Sequence, residues 1–394
     1  MKGSLAMKKA GIPLQNFMLR DGIGTINGIS VSSGIGGLAL FDGFRLLKNA
    51  LIASSMTLDA LQSPLEAFDP RIHRLRPFRG QQIVAETLRR LLTPFRPPLK
   101  GGQTGGSQSP ITSYQSQNSK VQDAFSLRCI PQILGPSLDA LHYVQEQVEI
   151  EMNSASDNPL FFPSHTLFTK GGQRGIYRGG KEGESLSGGN FHGQSIAIAF
   201  DLFAIAMAEV GCLSERHVNR LLNPHLSGLP GFLVENPGLN SGMMLLQYTA
   251  SDLVSENRIL SHPAVVDNAS VSGDQEDHVS MASLSARKAR RIVENVQTLL
   301  AIEYLCAAQA LSFHPLKVPL NKGDKEGVVP LNKGDYRGSI GKGTLAAYNT
   351  IRKSVPKLVQ DRPLSPDIEK VRRLTDEDKI VKAVENQIGR LKVE

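Results

Sequence analysis

The feature that most constrains this chain is a run of 41 residues, 274–314, containing neither glycine nor proline. At about 1.5 Å per residue such a run would extend roughly 60 Å as a helix, longer than a small domain. Its apolar positions Val279, Ala282, Leu284, Ile292, Val293, Val296, Leu299, Leu300 and Ile302 recur at near-helical spacing, so one face needs other helices to cover it. Three more breaker-free runs, 44–63, 194–210 and 243–262, supply partners. The expected fold is therefore all-α, a bundle of long helices shared between subunits. With no Trp and only 6% aromatic residues, its core must be built from Leu, Ala, Ile and Val.

Several function classes fall away. The three cysteines, Cys129, Cys212 and Cys306, are far apart and form no CxxC, so neither a disulfide framework nor a zinc knuckle is readable, and a reducing cytoplasm is expected. The start, MKGSLAMKKAGIPLQ, lacks the apolar core of a signal peptide. The most apolar window, 194–210, carries Asp201 and Glu209 and reads as a buried helix instead of a membrane span. Net charge is +7, and Arg71, Arg74, Arg76, Arg79, Arg89, Arg90, Arg96 and Lys100 gather in one stretch suited to acidic ligands. That stretch lacks the series of stacking aromatics used by single-strand binders, so no nucleic-acid partner is expected.

Two irregular regions interrupt the helical pattern. Residues 97–120 form a Gly/Ser/Gln-rich loop, and 317–344 contain VPLNKGD twice, at 318–324 and 329–335. The expected organisation is a helical core over 1–316, the Gly/Lys-rich loop 317–344, and a C-terminal helical segment 345–394. GSIGKGT, inside the loop, departs from a phosphate-binding loop at Tyr336 and Gly343.

The densest chemistry lies in SGDQEDHVSM (272–281), three carboxylates and a histidine within five positions. No HExxH accompanies it, so no metal is expected, and no GxSxG serine-hydrolase motif occurs. Ser272 with Gln275 matches a capping box, which would place Asp274, Glu276 and Asp277 in the first turn of the long helix, where the dipole favours negative charge. A carboxylate kept ionised there and facing a pocket could also accept a proton or hold a cationic ring. Periodicity does not choose between cap and catalyst.

GDQEDHVSMAS (273–283) resembles the signature of histidine ammonia-lyases, and the resemblance runs through the chain in order. RDGIGTINGISV (20–31), AFDPRIHRLRPFRGQ (67–81), VQDAFSLRCIPQILG (121–135), SDNPLFF (156–162), SGGNFHGQSIA (187–197), LSERHVNRL (213–221), FLVENPGLNSGMM (232–244), ENRILSHPAVVD (256–267) and GKGTLAAYNTIRKSVP (341–356) all share the family's sequence and order. The chain is thus similar to the aromatic amino-acid lyases, whose fold is a long-helix bundle of the fumarase/aspartase-like type. QEDH points to the histidine branch.

The resemblance implies elimination of ammonia from L-histidine to give urocanate, in a homotetramer whose active sites combine several subunits. It implies a methylidene-imidazolone electrophile, formed by cyclisation of an internal Ala-Ser-Gly, which attacks the substrate and makes ammonia a good leaving group. Carried over by motif, Asn27 would hold the oxygen of that ring and Arg128 would bind the substrate carboxylate bidentately. Gln122 would line the site, Phe191 would pack on the substrate, and Glu276 would face its imidazole.

Two departures accompany these matches. No Ala-Ser-Gly occurs in the 394 residues, and the stretch ahead of Asn27 resembles the family segment on the C-terminal side of the electrophile. The electrophile and the family's N-terminal tyrosine base are therefore expected from a separate N-terminal lyase chain, this chain alone being inactive or weak. Ser32-Ser33-Gly34, the Ser-Gly pair with a small residue ahead of it, is expected to start a core helix. Phe125 stands where the family has a tyrosine, removing a hydroxyl that is worth about 10²–10⁴ in rate if it acts as acid or base. The alternative is a non-catalytic relative that binds a small ligand or a lyase subunit.

Overall fold

A computed structural model describes residues 1–14, 16, 18, 21–93, 122–162, 184–313 and 340–393, with residues 23–25 given by their backbone. In chain order the helices are α1 (Gly3–Lys9), α2 (Asp21–Ile26), α3 (Ser30–Ala60), α4 (Pro70–Leu75), α5 (Arg79–Leu91), α6 (Phe125–Arg128) and α7 (Ile130–Met152). Beyond the strand pair β1 (Leu160–Phe162) and β2 (Glu184–Leu186) come α8 (Gln194–Leu222), α9 (Pro224–Ser227), α10 (Met244–Leu260), α11 (Ala282–Leu311), α12 (Lys342–Arg352), α13 (Ser365–Asp376) and α14 (Lys379–Ile388). The fold is the all-α bundle expected, and the breaker-free runs map to α3, α8, α10 and α11, while α7 forms across Gly135 and Pro136. The short antiparallel β1–β2 pair, with Phe161 opposite Ser185, was not anticipated. Both irregular regions, including the VPLNKGD duplication, lie outside the described residues apart from their edges.

Five long helices alternate in direction. Ser32 and Ser283 hydroxyls meet at 3.0 Å near the starts of α3 and α11, and Tyr304 donates to the Asn49 carbonyl at 3.0 Å further along, so these helices run parallel. The Ser214 hydroxyl on α8 donates to the Leu299 carbonyl at 3.3 Å, and Gly193 lies beside Ala282, so α8 runs the same way. Helices α7 and α10 run in the opposite sense: Gly37 and Gly43 of α3 face Val148 and Leu141, while Gln247 on α10 donates to Asn219 at 2.7 Å near the end of α8. At Gly36 a Cβ would overlap the Phe200 ring, so this glycine sets the approach of α3 to α8.

Helix α11 is the spine. Leu299, Leu300, Ala301, Ile302, Tyr304, Ala307, Ala308, Ala310 and Leu311 are all buried, the alanines letting neighbouring backbones approach closely. Its apolar face thus finds α3, α8 and α10 within one chain. The C-terminal helices pack on the same core, where buried Gln309 donates to the carbonyls of Leu233 and Leu358 and accepts from Leu358 N at 3.1 Å. The apolar window of α8 is mostly enclosed by the bundle, 67% of it buried, as expected for a core helix.

The start of the spine corrects one expectation. The helix begins at Ala282 and not at 274, so Ser272 is no N-cap and Asp274, Glu276 and Asp277 are not in its first turn. Ser272 and Asp274 take positive φ (53° and 66°), and residues 272–275 form a turn closed by Val271 N to Glu276 O at 3.0 Å. Lacking glycine and proline permits a helix; here a local hairpin and the surrounding contacts win.

Candidate active site

Three motif segments meet where α3, α8 and α11 begin. A Cβ on Gly193 would overlap Ile29 Cγ2 and stand 3.2 Å from both Ala282 Cβ and Ser280 Oγ. Ile29 lies two residues beyond Asn27, Gly193 two beyond Phe191, and Ser280 four beyond Glu276. Glycine is required at 193 because the three segments leave no room for a side chain. Asn27 and Glu276 are exposed and Phe191 is half-buried.

Side chains fix these segments from behind. His192 bonds through Nε2 to the His278 carbonyl at 3.1 Å, tying the Phe191 loop to the Glu276 loop. The Asn268 amide both accepts from Val279 N at 3.1 Å and donates to Val279 O at 3.0 Å, holding the strand-like return to α11. Asn158 Oδ1 accepts from Gly188 N at 2.8 Å, and Asn190 donates to the Ala155 carbonyl at 3.2 Å, which brings SDNP against SGGNFHG. None of the three N-cap residues, Ile29, Gly193 and Met281, caps its helix with a side chain, and among the described residues the one side-chain acceptor at these starts is the Ser280 hydroxyl, 3.4 Å from Ala282 N. Three partial positive ends therefore converge here and favour negative charge in the space they face.

Phe125 and Arg128 lie elsewhere. They occupy α6, whose Ser126 carbonyl is bonded by His217 near the end of α8. Between Gly193 and His217, α8 rises roughly 36 Å at 1.5 Å per residue, so the two groups sit at opposite ends of the bundle. Arg128 lies over the Phe125 ring at 5.0 Å from its centroid, its Nε is buried without a hydrogen-bond partner, and it forms no ion pair among the described residues. Phe125 is 70% exposed and Gln122 is exposed. Within one chain the expected site residues form two half-sites: Asn27, Phe191 and Glu276 at one end, Gln122, Phe125 and Arg128 at the other.

Ser32-Ser33-Gly34 lies inside α3, with Ser33 N bonded to Ile29 O at 2.8 Å. A helical backbone with its amides engaged is not folded to cyclise, so these residues do not fit the methylidene-imidazolone. Among the described residues no group of three or more His, Cys, Asp or Glu side chains could hold a metal ion.

Sequence reasoning missed His217 and Glu303, the buried pair behind α6. A signal was present: His217 falls on the stripe Val210, Ser214, His217, Leu221, and Glu303 on the stripe Val296, Leu299, Glu303, Ala307, both facing the core. Two ionisable residues on core stripes of neighbouring helices need each other.

The aromatic amino acid lyase family model matches residues 1–351. The chain is 42% identical over 389 residues to a histidine ammonia-lyase of Alkaliphilus metalliredigens, covering 99% of this chain and 66% of that protein. It is likewise 42% identical to histidine ammonia-lyase 2 of Fusobacterium nucleatum, covering 100% of this chain and 67% of that protein. It thus spans about two-thirds of the length of these relatives. Among solved structures, histidine ammonia-lyase from Trypanosoma cruzi superimposes with a TM-score of 0.76 at 34% identity, covering 98% of this chain and 63% of that one. Motif order, fold and similarity agree: the chain belongs to the aromatic amino acid lyase family and sits with its histidine ammonia-lyases.

Proposed function

We propose that this chain takes part in eliminating ammonia from L-histidine to give urocanate, in a homotetramer that joins the Arg128 end of one chain to the Glu276 end of another. The observation that carries this reading is Arg128. A guanidinium with no ion pair among the described residues, stacked on an aromatic ring in a short turn, is suited to bidentate capture of a carboxylate. The substrate's chemistry sets the other roles. Phe191 packs on the imidazole, Glu276 accepts its N–H, and Asn27 offers an amide to the electrophile. In the elimination the Cα–N bond breaks, a Cβ proton leaves, and the Cα=Cβ double bond forms. Residues 32–34 take no part in it, and the electrophile is supplied by an Ala-Ser-Gly segment outside these 394 residues. The free cysteines Cys129, Cys212 and Cys306 are in keeping with a reducing cytoplasm.

A second reading, a non-catalytic relative that binds histidine or a lyase subunit, is favoured by Phe125, which offers no hydroxyl to carry a proton. Urocanate formation separates the two. The 394-residue chain by itself should form none. Mixed with an N-terminal lyase fragment bearing Ala-Ser-Gly it should turn over slowly, and Phe125→Tyr should raise that rate by about 10²-fold or more. Robust turnover by the unaided chain would refute the need for a partner; no turnover in any mixture would favour the non-catalytic reading.

A further inference from the structure

Beneath the Phe125–Arg128 turn lies a buried pair that the elimination itself does not use. His217 Nδ1 is 2.7 Å from Glu303 Oε1, and His217 Nε2 is 2.7 Å from the Ser126 carbonyl oxygen. The Ser126 carbonyl can only accept, so Nε2 carries a hydrogen; with Glu303 ionised, Nδ1 carries one too, which makes the pair an imidazolium beside a carboxylate. Burial opposes the charge on His217, but the Glu303 charge and hydrogen bond and the Ser126 carbonyl outweigh it, and the histidine titrates above its ordinary value. Thr57 Oγ1 donates to the same Glu303 oxygen at 3.0 Å, anchoring the carboxylate from α3 as well. Three helices therefore converge on one carbonyl of a four-residue turn.

A buried ion pair is a poor source of stability, because its desolvation cost offsets most of its attraction. Apolar side chains of similar volume would join α3, α8 and α11 as well. They would not bond the Ser126 carbonyl, and that bond adds a directional tie to a turn otherwise held by the buried Leu127 side chain and by short-range amides, Leu127 N and Arg128 N to Ala124 O at 3.0 Å and Cys129 N to Phe125 O at 2.9 Å.

We propose that His217 and Glu303 are positioning residues for substrate binding: the pair holds the Ser126 carbonyl and so aims Arg128, two residues on, at the substrate carboxylate. The proposal rests on the assignment of Arg128 to that carboxylate. Neither side chain touches substrate.

The test is titration calorimetry of the full chain with L-histidine and with histamine, which keeps the imidazole and the amine but lacks the carboxylate. Arg128→Gln measures what the carboxylate contact contributes. His217→Gln should weaken L-histidine about tenfold and Glu303→Gln, which keeps an acceptor oxygen, about threefold, with histamine affected less than about twofold by either. Amide exchange at residues 126–129 should accelerate while the centres of α8 and α11 stay protected. If Arg128→Gln weakens L-histidine but the other two variants leave it unchanged, or weaken both ligands equally, the positioning role is wrong and the Arg128 assignment stands. If the wild-type chain does not distinguish the ligands and Arg128→Gln changes nothing, that assignment fails and takes the positioning role with it. Should His217→Gln not fold, Glu303→Gln decides by the same criteria.

Discussion

In the last turn of α3 the Asp59 carboxylate accepts from Gly341 N at 3.0 Å, tying the start of α12 to the core. Burial pushes its carboxyl up from the ordinary 3.8 to about 7, further than the Thr344 hydroxyl and the Gly341 amide pull it down. Between about pH 4 and 7 the folded chain retains a proton that the unfolded chain has released, so this contribution is fully present below about pH 4 and is lost as pH rises through about 7. Asp59→Asn keeps an acceptor for Gly341 and removes the titration. Urea midpoints at about pH 5 and about pH 7.5 should then differ less in the variant than in the wild type. Parallel midpoints would assign the pH dependence to other groups.

At the scale of elements, breaker-free runs located α8, α10, α11 and the second half of α3, because helix interiors disfavour proline and glycine; they missed α7, which carries Gly135 and Pro136 inside it, and the glycine-rich first half of α3. They did not locate where α11 starts. Ser272, Asp274 and Met281 adopt positive φ, and the helix begins only where Ala282 and Ser280 close on Gly193, contacts that no local pattern records. The β1–β2 pair was illegible for a related reason, since three-residue strands leave almost no period to read. The buried face of α11, by contrast, was legible in its local pattern from Ile292 to Ile302, although Leu284 is exposed and Val279 precedes the helix. Leu300, fully buried at its centre, should cost about 2–5 kcal/mol when replaced by alanine, because the rigid helices around it cannot close the cavity. Urea denaturation measures this. A loss under about 1 kcal/mol would mean that the spine repacks freely, contrary to its dense alanine contacts.

For the whole molecule the main result is the division of the site. Motif order named the candidate residues one by one, but their grouping depends on helix direction, and whether α7 runs against α8 is settled by packing. Parallel α3, α8 and α11 carry Asn27, Phe191 and Glu276 to one end, and antiparallel α7 carries Arg128 to the other. The outer surface suits assembly. Val31, Leu38 and Phe41 on α3, and Leu245, Tyr248 and Ile259 on α10, leave large apolar side chains exposed, and the α3 stripe borders a groove lined by Val148 and Met152 of α7. Subunit mixing separates a shared site from one confined to a single chain. Arg128→Gln and Glu276→Gln chains, each deficient in L-histidine binding alone, are co-expressed in equal amounts and purified as mixed oligomers. If each site takes its arginine from one chain and its glutamate from another, random assembly leaves about a quarter of the sites with both native residues. Calorimetry of the mixture should then recover L-histidine binding at about that fraction of the wild-type stoichiometry, with wild-type affinity at the recovered sites. A site built within one chain can never regain both residues by mixing, so the absence of recovered binding, in oligomers shown by mass to contain both variants, would overturn the shared-site arrangement.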